Sequence, residues 1–182
     1  ASSSTLPESL RAGIQKIQWT PARVDALITE LPKVETHLHL DGALTPRTIH
    51  ELAVAQKHEP LASMTIAQIA AVAVVNKPKD SLAEVLKAFY TIYPLLHTPE
   101  AIEKVAYEII AAGSRQSIRH VEVRFAPALQ ATATFSQEQV LQAALRGLAR
   151  GEKDFGVRSG VIICLIRGIP IVTREHNAQM TA

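Results

Sequence analysis

The sequence predicts an α/β fold built on a parallel sheet. Two segments, residues 34–40 and 120–125, alternate polar and apolar residues, and a third, residues 157–166, ends in a continuous apolar run typical of a strand covered on both faces. Helical patterns separate these three segments, and strands that alternate with helices indicate βαβ units. Several helices lie between the first two strands, so we expect a helical insertion in the first crossover.

The helices of this insertion, and the helix before the third strand, have clear start signals. A hydroxyl residue precedes either a proline at the first helical position or a Gln or Glu three residues later, as in a capping box. In chain order these starts are Thr45-Pro46, Thr65 with Gln68, Ser81 with Glu84, Thr98-Pro99 and Ser136 with Gln139. The apolar stripes of the last three helices are Val85, Phe89, Ile92 and Leu96; Ile102, Val105, Ala106, Ile109 and Ile110; and Val140, Leu141, Ala144, Leu145 and Leu148.

Composition excludes several classes of protein. The chain has 182 residues, 47% of them apolar and 20% charged, which is typical of one globular domain. A net charge of +2 without a basic block predicts neither a nucleic-acid nor a membrane partner. The one cysteine, Cys164, excludes an internal disulfide, and its apolar surroundings predict a buried, inert thiol. Without a signal-peptide pattern or a membrane-spanning run, we expect a cytoplasmic protein whose residues 1–20 form a partly disordered leader.

The first strand carries the candidate chemistry. Side chains of a strand alternate between its faces, so Glu35, His37, His39 and Asp41 should share one face, opposite an apolar set that faces the helices. Two histidines at this spacing present imidazoles to a common point, as zinc requires of adjacent ligands. A solvated strand face with the same four residues would give the same alternation. Spacing alone therefore leaves the metal site and the solvated face equally open.

The wider sequence around this strand resembles a known family. LPKVETHLHLDGALTP, HVEVRFAPAL, the preceding helix EAIEKVAYEIIAAG and the segment VIICLIRG are similar, in the same order, to the adenosine deaminase family of zinc-dependent amidohydrolases. The resemblance runs from about residue 31 to residue 168. It implies a (β/α)8 barrel of the TIM type, of which residues 21–182 would be the N-terminal portion with about three strands.

The resemblance also implies a reaction and a set of roles. In this family a zinc-bound hydroxide attacks C6 of the purine, a glutamate protonates the ring, and ammonia leaves to give inosine. His37 and His39 match two zinc ligands, and Asp41 matches the acid that accepts a hydrogen bond from the ribose 5′-hydroxyl. Relatives acting on adenine tend to carry Glu there, and those acting on nucleotides Asn, so Asp41 favours adenosine or 2′-deoxyadenosine. Phe89 aligns with an aromatic wall of the base pocket, although a core position in its helical stripe is the simpler interpretation.

Other family motifs are absent from the sequence. We find no His-Ala-Gly-Glu, which would supply the third histidine and the catalytic glutamate, and His176 matches none of the later motifs. The catalytic acid and base are therefore expected outside this chain, and the remaining strands of the barrel are an expected partner. Alternatives are an adenine or modified-nucleotide deaminase, or a non-catalytic fragment that acts by association. Glu122 and Arg124 share the barrel-facing side of the second strand, where a structural ion pair is expected.

Overall fold

A computed structural model describes residues 7–15 and 17–166, which form two compact units divided between Pro32 and Lys33. The first unit contains α1 (Glu8–Gln15) and α2 (Pro21–Glu30). Thr20 caps α2 by accepting a hydrogen bond from the backbone of Arg23. The predicted leader, residues 1–20, therefore includes a helix, while residues 1–6 lie outside the described residues.

Within the described residues, the second unit is built on a parallel three-stranded sheet in the order β1-β2-β3. The strands are β1 (Lys33–His39), β2 (Ile118–Phe125) and β3 (Arg158–Ile163). This confirms the predicted α/β fold and its three strands, although β3 is shorter than the predicted segment 157–166. Beyond β3 the chain stays beside β2 for one more residue, because the Cys164 backbone N–H donates to the carbonyl of Phe125 at 2.9 Å.

The helical insertion lies between β1 and β2. Its helices are α3 (Pro46–Gln56), α4 (Ile66–Ala73), α5 (Leu82–Ile92) and α6 (Pro99–Arg115), with 3₁₀ turns at Leu61–Ser63 and Tyr93–Leu96. The short helix α7 (Pro127–Gln130) and the long helix α8 (Gln137–Phe155) then connect β2 to β3. In the described parts of the chain, none of these helices is long and apolar enough to cross a membrane.

The predicted helix starts are confirmed, with one difference in detail. Thr45, Thr65, Ser81, Thr98 and Ser136 each accept a hydrogen bond from the backbone N–H three residues later. Complete capping boxes form at Thr65 and at Ser136. At Ser81 the prediction of a complete box is wrong, because the carboxylate of Glu84 turns towards Lys87, 3.8 Å away.

One part of the core lies between the sheet and the helices α6 and α8, and another part lies among the helices of the insertion. Val121, Val123 and Phe125 of β2 are buried on this face, whereas Glu122 and Arg124 between them are partly exposed on the other. The predicted stripe of α6 is buried in full. On α8 the stripe is narrower than predicted, since Leu145 is 40% exposed. Close helix packing explains the difference: the buried glycines of α8, and not Leu145, face α6.

The third strand is less covered than its apolar run predicts. Within Arg158–Ile163 no residue is buried, and Ile162 is 37% exposed. The strand packs on β2 and α8, so in the described chain only one of its faces is covered. For the same reason Cys164, predicted to be buried, is partly exposed.

Candidate active site at the end of the first strand

Two histidines lie side by side at the carboxyl end of β1. The ring centroids of His37 and His39 are 5.6 Å apart, with the ring planes tilted by 35°. Both side chains are exposed in the described structure. The predicted pairing of these imidazoles on one face is thus present, and the same geometry is compatible with a metal held between them.

A β-bulge separates these histidines from Glu35. Glu35 of β1 lies opposite Val121 of β2, and Leu38 lies opposite Val123. Between these two pairs β1 advances by three residues and β2 by two, so β1 contains one extra residue. The extra residue reverses the alternation, which explains why Thr36 and His37 are consecutive exposed positions. The prediction that Glu35 shares the face of both histidines is therefore wrong. Its carboxylate instead accepts a hydrogen bond from the His37 backbone N–H at 2.8 Å, which holds the bulge in place.

The bulge also limits how much of the apolar set faces the helices. Leu40 is fully buried and Leu38 packs against the core, as predicted. Val34 and Thr36, which precede the bulge or lie in it, are exposed instead. The alternation is therefore reliable only in the half of the strand that leads to the site.

Asp41 follows the strand and is buried, with 4% of its surface exposed. One carboxylate oxygen, Oδ2, accepts a hydrogen bond from the Gln130 side-chain amide at 3.4 Å. The other oxygen, Oδ1, lies 4.0 Å from Nδ1 of His39 and has no hydrogen-bond partner in the described structure. A buried carboxylate oxygen without a partner is costly, so it marks a position where a ligand could donate a hydrogen bond.

Burial changes the proton affinity of this carboxylate and of a neighbouring phenol. Removal from water raises the pKa of Asp41, and the nearby His39 and the hydrogen bonds from Tyr93 and Gln130 oppose that rise. Burial, followed by the negative charge of Asp41, raises the pKa of Tyr93 to about 12. Tyr93 therefore stays protonated at neutral pH and can donate its hydroxyl hydrogen to Asp41.

An Asp41→Asn substitution should make the folded chain more stable at neutral pH, by about 1 kcal/mol, because it removes a buried charge. The folded-state pKa of Asp41 is raised, so the cost of ionising it is absent below the unfolded value of 3.8 and grows as pH rises through the folded value. Urea unfolding of both proteins at acidic and neutral pH measures the effect. A stability gain that is the same at both pH values would contradict the assignment to the buried charge.

A cavity of about 320 Å³ opens beside Asp41. Its wall is mostly apolar, and Phe89 of α5 lies closest to the turn after β1: a Cβ atom on Gly42 would sit 3.4 Å from the Phe89 ring. The lining residues are Asp41, Gly42, Leu44, Ile49, Ala73, Val74, Val75, Val85, Ala88, Phe89 and Ile92. The volume and the single carboxylate in an apolar wall are typical of a small-molecule site. Phe89, whose simpler interpretation is a core position, thus contributes to this wall and is only partly buried.

The remaining candidates from the sequence are Glu122, Arg124 and His176. The expected ion pair between Glu122 and Arg124 is replaced by two separate contacts. The Arg124 guanidinium donates to the Thr36 carbonyl at 2.9 Å, and Glu122 lies 3.8 Å from the His120 ring. The bulge in β1 presents the Thr36 carbonyl to Arg124 and so favours this exchange. His176 lies outside the described residues.

The donor set provides part of a metal site. Among residues 7–15 and 17–166, no three His, Cys, Asp or Glu side chains are grouped so that they could hold a metal ion. A catalytic zinc takes three protein ligands and water, so His37 and His39 fit two of its positions and do not complete it. Sequence reasoning missed Gln130, which donates a hydrogen bond to Asp41, and Tyr93, whose pKa the charge of Asp41 raises. Their only signal in the sequence is a polar residue at the end of α7 and an aromatic residue directly after α5.

Comparison with known proteins agrees with this architecture. Residues 32–181 match the family model described as adenosine deaminase. The adenosine deaminase of Lactococcus lactis is 34% identical over 146 residues, which are 80% of this chain and 41% of that protein. The adenosine deaminase of Streptococcus mutans is 36% identical over 140 residues, 75% of this chain and 39% of that protein. The chain thus spans about two fifths of the length of these curated relatives.

A solved structure supports the fold and its relation to a barrel. A zinc-bound amidohydrolase from Burkholderia ambifaria superposes with a TM-score of 0.63 at 27% identity, covering 81% of this chain and 39% of that one. The described helices and parallel strands therefore correspond to part of an amidohydrolase barrel, as the sequence predicts. With the family model matching residues 32–181 and these relatives beside it, the chain belongs to the adenosine deaminase family.

Proposed function

We propose that this chain forms the N-terminal part of a zinc-dependent deaminase that converts adenosine, and 2′-deoxyadenosine, to the inosine product. One observation carries the proposal. Asp41, whose Oδ1 has no hydrogen-bond partner in the described structure, lines an apolar cavity and follows His39, one of the paired histidines of β1, by two residues. A hydroxyl acceptor, an apolar wall and two metal-binding nitrogens are thus grouped at one strand end, where barrel enzymes build their sites.

The metal role of the histidines rests on their chemistry and pairing. Neutral imidazole is a preferred zinc ligand, and two rings at the end of one strand can approach one ion. We assign His37 and His39 as two of its ligands and expect the others from later segments of the full-length protein. When bound, the ion would make a water molecule nucleophilic near neutral pH.

The substrate proposal rests on Asp41 and the cavity. The apolar side chains around Phe89 suit a purine ring, and Asp41 Oδ1 suits a donor from the sugar. A nucleotide would bring its 5′-phosphate towards this buried carboxylate, and the two negative charges would repel strongly in a medium of low dielectric constant. Adenine would leave the oxygen without a donor. These two costs favour a nucleoside over the nucleotide and free-base alternatives.

The overall reaction needs only water as co-reactant. The water oxygen bonds to C6 of the purine, and the bond from C6 to the amino nitrogen breaks. One of the two water protons leaves with that nitrogen as ammonia, and the other ends on N1 of the inosine ring. In this scheme Asp41 orients the sugar and Phe89 shields the base from solvent. The proton-transferring group lies outside the residues of this chain, in agreement with the absence of the later family motifs.

An Asp41→Ala substitution tests the substrate. In the full-length protein we expect kcat/KM for adenosine to fall by about 10- to 100-fold, the value of a hydrogen bond to a charged group, with a much smaller change for adenine. Asp80→Ala, the same change in an exposed loop, is the control. Equal losses for both substrates would exclude the nucleoside assignment. A panel that includes purine nucleotides would reveal the nucleotide alternative.

A non-catalytic role is the competing class of function. A chain that purifies alone as a stable monomer and binds no zinc or purine would support it and contradict the proposal. Zinc analysis and isothermal titration of inosine into the full-length protein make this comparison. The cytoplasm is the location we propose, since a chain with one cysteine has no internal disulfide that would require an oxidising compartment.

A further inference from the structure

We propose that Gln130 and Tyr93 are positioning residues that orient the Asp41 carboxylate so that Oδ1 alone is offered to the ligand. The inference rests on the proposed function and extends it to two residues outside the cavity wall. Neither residue lines the cavity beside Asp41. They therefore act on the substrate only through Asp41.

Gln130 is held firmly and can donate in only one way. It is fully buried at the end of α7, and its backbone carbonyl lies 2.9 Å from Nδ1 of His97. An ionised carboxylate only accepts hydrogen bonds, so the side-chain nitrogen of Gln130, and not its oxygen, must face Asp41. The amide thereby occupies Oδ2 and limits rotation of the carboxylate.

Tyr93 provides the second constraint. It begins the 3₁₀ turn after α5, and its phenol lies near enough to the Asp41 carboxylate that the charge of Asp41 raises the pKa of Tyr93. Its ring lies 6.1 Å from the ring of Phe89, which lines the cavity, and 6.1 Å from that of Tyr90, and these two rings restrict its movement. The two donors come from the segments after α5 and after β2, and they fix a side chain that follows β1.

This arrangement predicts how the site discriminates between ligands. A buried acceptor that is already oriented rejects a ligand lacking the matching hydroxyl far more strongly than it rejects a small change in apolar shape. If the carboxylate could rotate, part of the binding free energy of a ligand hydroxyl would be lost in ordering it. Discrimination between ligands with and without that hydroxyl would then fall. Loss of either positioning residue should therefore weaken recognition of the 5′-hydroxyl and leave the reacting end of the substrate unaffected.

Two substitutions and two substrates test the proposal. Gln130→Met keeps the size of the side chain, and Tyr93→Phe keeps the ring. The control is Gln142→Met, the same Gln-to-Met substitution at an exposed position of α8. In the full-length protein, each of the first two should raise KM for adenosine about tenfold with kcat within about twofold. KM for 5′-deoxyadenosine, which lacks the hydroxyl, should stay unchanged. The Gln142→Met control should leave the KM of both substrates unchanged.

The outcomes separate this inference from the proposed function. If the wild-type protein discriminates between the two substrates and both variants discriminate equally well, this inference is overturned and the proposed function is not. Equal losses on both substrates, with a lower unfolding midpoint, would show a purely structural role and also overturn it. An unchanged protein that neither binds inosine nor deaminates either substrate would overturn the proposed function, and this inference with it. If Gln130→Met does not fold, Tyr93→Phe, which removes one oxygen atom, provides the decision.

Discussion

A His39→Ala variant of the full-length protein is expected to lose its bound zinc and more than about 100-fold of its kcat/KM for adenosine. The lower limit of this loss follows from known effects around metal sites. Mutation of a group that only orients a metal ligand typically lowers metal affinity or activity by about 10- to 100-fold, and removal of a ligand itself should cost more. Its neighbour His37, whose ring lies 5.6 Å away, should behave in the same way. Elemental analysis of the dialysed protein measures the zinc directly, independent of activity.

The matched control is His50→Ala, which removes an imidazole from α3. It should retain zinc and activity, because His50 does not line the cavity beside Asp41. Stoichiometric zinc in both His37→Ala and His39→Ala would contradict the ligand assignment. The pair would then be an exposed strand face, as the spacing alone allows.

A Gly147→Ala substitution is expected to lower the free energy of unfolding by about 3 kcal/mol or more. The residue is buried where α8 crosses α6, and an added Cβ would overlap the backbone oxygen of Glu103 and come within 2.8 Å of the Ala106 Cβ. A backbone oxygen inside a helix cannot move aside, so the two helices must separate. Because these helices cover the buried face of the sheet, the whole core is affected.

Gly13→Ala in α1 is the control for this experiment. A Cβ there would meet no atom within 4 Å, so the better helix propensity of alanine should act alone, and no loss of stability is expected. Denaturant unfolding followed by circular dichroism compares the two variants. Equal or higher stability of Gly147→Ala would show that the helices do not approach each other as closely as the structure indicates.

Much of the architecture could be predicted because it depends on local signals. Each capping hydroxyl acts on a backbone N–H three residues away, and each apolar stripe follows the helical period, so the neighbouring residues are sufficient. The pairing of His37 with His39 is equally local. The strand edge was less predictable: the sequence pattern of residues 157–166 is that of a covered strand, but coverage depends on which elements pack against it.

The alternation in β1 shows where local reasoning ends. A bulge depends on the register between two strands, and the partner of Glu35 is Val121, 86 positions later in the chain. The pattern of residues 34–40 carries no trace of it. The same register determines that Arg124 donates to Thr36 and does not pair with Glu122.

By itself the sequence determined the α/β class, the helix starts, the adjacent histidines and the family, because each of these is carried by residues close together in the chain. Only the tertiary structure decided which groups surround Asp41. Gln130 is 89 positions away and reaches the carboxylate because β1 and β2 are adjacent and parallel, so that their carboxyl ends meet. Tyr93 reaches it because the insertion folds back over the same end. Such long-range contacts depend on packing and register, which no local pattern records.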